Sequence, residues 1–164
     1  MTRVNLLDAL KLESEEATRD LLLPVTRQKE DTADPEPRAP EVFKMRLPDS
    51  KSAKKKAPYI LHQFITGKDS QVPKERPQAS AVVRSIFCVY HPDEQQGGLA
   101  LLGLMERLRI HLLRKEVIAN QFQLDLEAGM ECLAYPDDTA PYYAGEIITT
   151  WKLPAIEREV RPWL

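Results

Sequence analysis

The sequence holds only two cysteines, Cys88 and Cys132, and they share no metal-type spacing with each other or with a histidine. Without a secretion signal, such a pair reads as free thiols in a reducing cytoplasm, not as a disulfide framework. The opening MTRVNLLDALKLESEE meets acidic residues too early for such a signal. No apolar run approaches the roughly twenty residues that a membrane helix needs, so no membrane span is expected. Basic excess is also lacking. Lys and Arg number 23 against 25 Asp and Glu, a net charge of −2. That balance argues against wholesale binding to nucleic acid or to an anionic membrane. There are no internal repeats.

What is present suits one soluble globular domain. The 164 residues are long enough to bury a real core, and 43% are hydrophobic and 29% charged. An N-terminal helical segment (1–24) precedes a proline-rich extended segment (28–48) and a sheet-and-helix core (58–157). Leu6, Leu10, Ala17 and Leu21 recur at helical spacing, which predicts a helix over 4–23 with Glu13, Glu15, Glu16, Arg19 and Asp20 on its polar face. Its apolar stripe is thin, so it must dock to persist. Pro24 ends it. Pro35, Pro37 and Pro40 mark the extended segment that follows.

The strands are read from alternation. VFKMRL (42–47) is short and closed by Pro48. In PYILHQFITGKDS (58–70), Ile60, His62 and Phe64 oppose Tyr59, Leu61, Gln63 and Ile65, with turn chemistry at 67–70 and a loop over 68–78. ASAVVRSIFCVYH (79–91) is apolar on both faces, as a central strand should be. A second helix is expected over 97–116, with Leu101, Leu104, Met105, Leu108 and Leu112 as its buried stripe and Gly97–Gly98 easing the turn into it. Arg114 and Lys115 suit its C-terminal end. A strand from 121 to 135, with a bulge near Gly129, and the YPDDTAP turn lead to a last strand. There Tyr143, Gly145, Ile147, Thr149, Trp151 and Leu153 share one face. The expectation is an α+β fold: a single antiparallel or mixed sheet of about four to five strands, with two main helices packed on one face.

No catalytic constellation emerges. His62, His91 and His111 form no HExxH or HxH, no serine sits in a GxSxG elbow, and Gly97–Gly98 lack the lysine of a phosphate loop. Cys88 lies in the most apolar strand and reads as a small hydrophobe. Nothing points to an enzyme, a cofactor or a metal. The sharpest electrostatic feature is the basic loop 49–57, with Lys51, Lys54, Lys55 and Lys56. Opposite it stands an acidic cluster of Asp125, Glu127, Glu131, Asp137 and Asp138. Basic loop on one copy and acidic strand on the next would suit a head-to-tail ring.

Three stretches and the opening helix through LLLPV then carry a resemblance: APEVFKMRLPDSKSAKKKAPYI (39–60), AVVRSIFCVYHPDEQQGGLALLGLMERLRIHLL (81–113) and FQLDLEAGMECLAYPDDTAPYYAGEIITTWKLPAIEREV (122–160). They resemble small tail-module proteins of long-tailed phages and prophages of Gram-positive bacteria. That group is similar in element order to the tail-terminator, or tail-completion, family. The resemblance implies a structural protein that forms a ring, in the family a hexamer, on the last ring of tail-tube subunits. It implies three partners: other copies of itself, the tail-tube protein and the head–tail connector protein. DNA would pass transiently through the lumen, near the lysine loop. Localisation would be the host cytoplasm during assembly and then the virion tail, with no membrane partner. The proline-rich segment 28–48 is equated with no terminator feature. Two alternatives stand beside this one: another head–tail connector or stopper protein, and a small nucleic-acid-binding module acting through 49–57.

Overall fold

The computed structural model describes residues 2–27, 33–48, 56–136 and 139–159. It is an α+β fold of two helices and one mixed sheet. In chain order the elements are α1 (Arg3–Thr18), β1 (Glu41–Lys44), β2 (Tyr59–Ser70), β3 (Gln78–Tyr90), α2 (Glu94–Lys115), β4 (Val117–Ile118), β5 (Phe122–Leu124), β6 (Glu131–Ala134) and β7 (Tyr142–Leu153). The strands lie in the order β1-β2-β3-β7-β5-β4, and β6 also pairs with β7. β1 runs parallel to β2, and every other pairing is antiparallel. The sheet has seven strands among the described residues instead of four to five. The excess comes from the two-residue β4 and from the split of the expected 121–135 strand into β5 and β6. Asp125 turns the chain between them, and Gly129 adopts a φ of 86° that favours glycine.

α1 begins as a capping box. The Thr2 hydroxyl accepts the Asn5 N–H at 3.2 Å, and Asn5 Oδ1 accepts the Thr2 N–H at 3.0 Å. It stops at Thr18, five residues before the expected end at Leu23. Leu23 instead exchanges backbone hydrogen bonds with Arg38 at 2.8 and 3.0 Å and buries its side chain. Pro24 disfavours helical geometry at Leu23, so the bridge wins. α2 starts three residues earlier than expected, because Asp93 caps it by accepting the Gln95 N–H at 2.8 Å. Gly97 and Gly98 therefore lie inside the helix and do not lead into it. Gly97 serves close packing: a Cβ there would sit 2.0 Å from the Tyr143 ring.

Both helices pack on one face of the sheet. Leu6, Leu7 and Leu10 of α1 and Leu101, Leu104, Leu108 and Leu112 of α2 share a core with Ile60, Val83, Phe87, Ile147 and Trp151. Each fully buried large side chain contributes roughly 1.5–3 kcal/mol of transfer free energy. β3 is the central strand, and its other side joins Tyr59, Leu61, Cys88, Leu47 and Ala57 in a second, smaller core. β7 alternates as expected: Tyr143, Gly145, Ile147, Thr149 and Trp151 are all buried. Trp151 donates from Nε1 to Thr149 Oγ1 at 2.8 Å, so its polar atom is satisfied inside the core. Residues 67–70 are strand and not turn, since they pair with 78–81. A register shift between Phe64 and Thr66 bends β2 there. From Ile65 to Arg76 every residue is exposed, although β3 stays paired with β7 from Ala79 onward and Arg3 of α1 bonds Asp69 and the Ser80 carbonyl, so only the 71–77 connection leaves the sheet.

Candidate assembly surfaces

The lysine loop meets the structure only at its root. Lys51, Lys54 and Lys55 lie outside the described residues, whereas Lys56 is half-buried just before β2. Arg38 staples that root: its guanidinium donates to the carbonyls of Lys56 at 2.8 Å, Pro58 at 3.1 Å and Ala39 at 3.1 Å. The loop therefore springs from a fixed base at the β1–β2 side of the sheet. The acidic cluster divides. Asp137 and Asp138 lie outside the described residues. Asp125 is half-buried and accepts the N–H groups of Glu127 and Ala128 at 3.2 and 3.3 Å, so it orders a turn and does not present a free carboxylate. Glu127 and Glu131 are exposed, Glu131 on β6.

Cross-strand register relates these positions. Tyr59 pairs with Cys88, Cys88 with Ala144, and Ala134 with Gly145. Lys56 and β6 thus approach the same end of the sheet from opposite edges. Among the described residues, Lys56 lies on the β1–β2 side and Glu131 on β6, with β3 and β7 between them.

Sequence reasoning treated the histidines singly and missed two polar assemblies. His62 on β2 is fully buried between two serines: Nε2 lies 2.7 Å from Ser14 Oγ on α1, and Nδ1 lies 2.7 Å from Ser85 Oγ on β3. Burial pushes its pKa down to about 3, so the ring is neutral, with one N–H donating and the other nitrogen accepting. No carboxylate completes this row among the described residues, and it is closed to solvent. What it does is tie α1 to two strands. His62 and Ser85 are cross-strand partners, a pairing that appears only once the hairpin register is known.

The second assembly joins α1 to α2. Glu13 is buried and accepts from His111 Nε2 at 2.5 Å and Lys115 Nζ at 2.9 Å. Burial alone would raise the Glu13 pKa, but the hydrogen bonds from His111 and Lys115 outweigh it and hold the carboxyl below its usual range. The Glu13 hydrogen bond in turn raises Lys115. Ligand atoms of Glu13, Glu16 and His111 lie within 4.8 Å of one another, a spacing that suits a small cation. The Lys115 ammonium already stands there, 2.9 Å from Glu13 and 3.7 Å from Glu16.

A cavity of about 610 Å³ opens where the first turns of α2 meet the start of β7. Tyr59, Tyr135, Tyr142 and Tyr143 line it with Cys88, Leu99 and Leu101, and Glu94 lies at its helix side. Burial, reinforced by the adjacent Cys88, raises the Tyr59 hydroxyl well above its ordinary range. Burial likewise raises Tyr135, with Glu146 adding to it. These tyrosines are poor acids, and the lining is mainly apolar. Finally, α2 carries exposed leucines and isoleucine opposite its buried stripe, a face that the search for a single amphipathic stripe passed over. No helix is long and apolar enough to cross a membrane among the described residues. Compared with known proteins, the chain matches no protein-family model and no curated protein.

Proposed function

We propose that this chain is a structural subunit of a phage or prophage tail: a tail terminator that caps the tail tube as a ring and offers the head-joining surface. The sequence resemblance motivates the reading. The observation that most supports it is that the described root of the basic loop, Lys56, and an exposed acid, Glu131, lie toward opposite edges of one sheet. Lys56 anchors the basic loop beside β1 and β2, while Glu131 sits on β6 at the far edge. Such flanks are complementary between neighbours related by rotation, which is what a closed head-to-tail ring requires. The polar side chains that could suggest chemistry are engaged inside as struts: His62 with two serines, and Glu13 with His111 and Lys115. The exposed loop between β2 and β3, residues 71–76, offers a contact element for the tube in this reading. In this reading the protein is not an enzyme; its work is assembly.

The test is size determination with negative-stain imaging, for the protein alone and with the tube protein from the same gene cluster. The expected result is rings seated on tube ends. Free protein that never associates with tube ends contradicts the proposal.

A further inference from the structure

α2 has two apolar faces. The buried one carries Leu101, Leu104, Leu108 and Leu112 against the sheet. On the other, Leu99 is 62% exposed, Leu102 50%, Ile110 40% and Leu113 37%. At 3.6 residues per turn, these four and Glu106 fall within an arc of about 80°, opposite the buried stripe. Arg109 borders that arc and pairs with Glu106 at 3.1 Å. Single exposed leucines need no explanation, but four in one helical stripe make a contiguous patch.

The spacing 99, 102, 106, 109 and 113 alternates by three and four residues, the rhythm of a helix that packs along another helix. The order of residue types is also self-complementary. If a second α2 is laid antiparallel, Leu102 falls across from Leu113 and Glu106 across from Arg109. The two-fold axis then passes between Arg107 and Leu108. Two Glu–Arg pairs form at the centre, and a leucine layer flanks them on each side. Leu99 and Ile110 border the layers. An unrelated partner would have no reason to require this symmetry of charge and size.

We infer that this face of α2 pairs with the same face of a second copy of the chain, the two helices antiparallel about a two-fold axis. The patch is on the order of a few hundred Å² per copy, below the area of a standard tight interface, so micromolar self-association is expected. This pairing does not rest on the tail reading. A ring uses two different flanks, whereas this face complements itself. The two coexist if two-fold axes perpendicular to the ring axis set rings back to back. Failure of the tube-end experiment leaves the α2 pair untouched.

The experiment is sedimentation velocity of the full chain at about 5–200 µM, spanning the micromolar range expected for a patch of this size. Wild type is expected to shift from monomer to dimer across that range. Glu106→Arg alone and Arg109→Glu alone each place like charges across the axis and are expected to weaken the dimer at least tenfold. Mixed in equal amounts, the two variants are expected to regain it as a heterodimer, since each then meets the opposite charge. A fold defect cannot produce recovery on mixing. Leu102→Glu, at a half-exposed position, is expected to abolish the dimer without loss of cooperative unfolding. Wild type that stays monomeric throughout overturns the inference. So does an association indifferent to these substitutions, or a mixture that stays monomeric.

Discussion

Two adjacent glycines in α2 are expected to respond in opposite directions to the same added methyl group. Gly→Ala in a helix interior gains about 1 kcal/mol from propensity and lost unfolded-state freedom. At Gly98 nothing lies within 4 Å of the new Cβ, so that gain is realised. At Gly97 the Cβ would stand 2.0, 2.2 and 2.6 Å from three atoms of the Tyr143 ring. Ordinary carbon contacts are about 3.5–4.0 Å, so the ring must move by more than an ångström. The ring is buried against α2, so a shift into the cavity it lines would give up its packing on the helix. Overpacking of this kind costs about 1–3 kcal/mol or more, which exceeds the propensity gain. Gly97→Ala is therefore expected to lower Tm by several degrees, at about 2–4 °C per kcal/mol for a chain of this size, and Gly98→Ala to raise it by a few. Circular-dichroism melts with urea titrations measure both. Tyr143→Leu in the Gly97→Ala background should recover part of the loss. Equal stability of the two alanine variants would refute the close approach of α2 to β7 on which this rests.

Three more outcomes follow from the polar struts and the charged flanks. His62 has a folded pKa of about 3 against an ordinary 6.5, so only the unfolded chain takes up its proton between those values. Stability is complete above pH 6.5 and falls by up to about 1.4 kcal/mol per pH unit below it. His62→Gln should flatten the slope between about pH 7 and 5, above the carboxylate range; an unchanged slope would show that His62 is not buried neutral. Glu13→Gln should lower Tm by several degrees, as it removes the charge and replaces one of the two acceptor oxygens that serve His111 and Lys115 with an NH2 donor. A Tm within one degree of wild type would mean the strut contributes nothing. Replacing Lys54, Lys55 and Lys56 together by Glu should weaken ring assembly at low salt, and the difference should vanish at about 0.5 M salt, where exposed charges are screened. Assembly unchanged at every salt concentration would remove the basic loop from the interface.

The strands with one strong pattern were legible. β7 alternates over its whole length, and β3 is apolar on both faces, so its central place was visible before any pairing was known. The buried stripe of α2 was equally plain. Local composition misled where pairing overrode it. Gly67, Lys68, Asp69 and Ser70 read as a turn, yet the strand from Gln78 onward holds them in a ladder. β4 is two residues long, too short for any periodicity. The parallel pairing of β1 with β2 leaves no trace in either segment. The long-range contacts were illegible for a related reason. Ser14, His62 and Ser85 are 48 and 23 residues apart, and nothing local announces that they meet. Glu13 looked like part of a solvated face because acids usually are; its burial depends on His111 and Lys115, which α2 brings to it. The exposed stripe of α2 was legible in principle, since Leu99, Leu102, Ile110 and Leu113 recur at helical spacing.

The central claim is that this protein works by capping a tube. It is tested most directly by letting the tube protein from the same gene cluster polymerise with increasing amounts of this chain and measuring tube lengths in negative stain. The account predicts that mean length shortens as the chain is added, with a ring at one end of each arrested tube. Tubes of unchanged length with bare ends, at stoichiometric excess of folded protein, would contradict it.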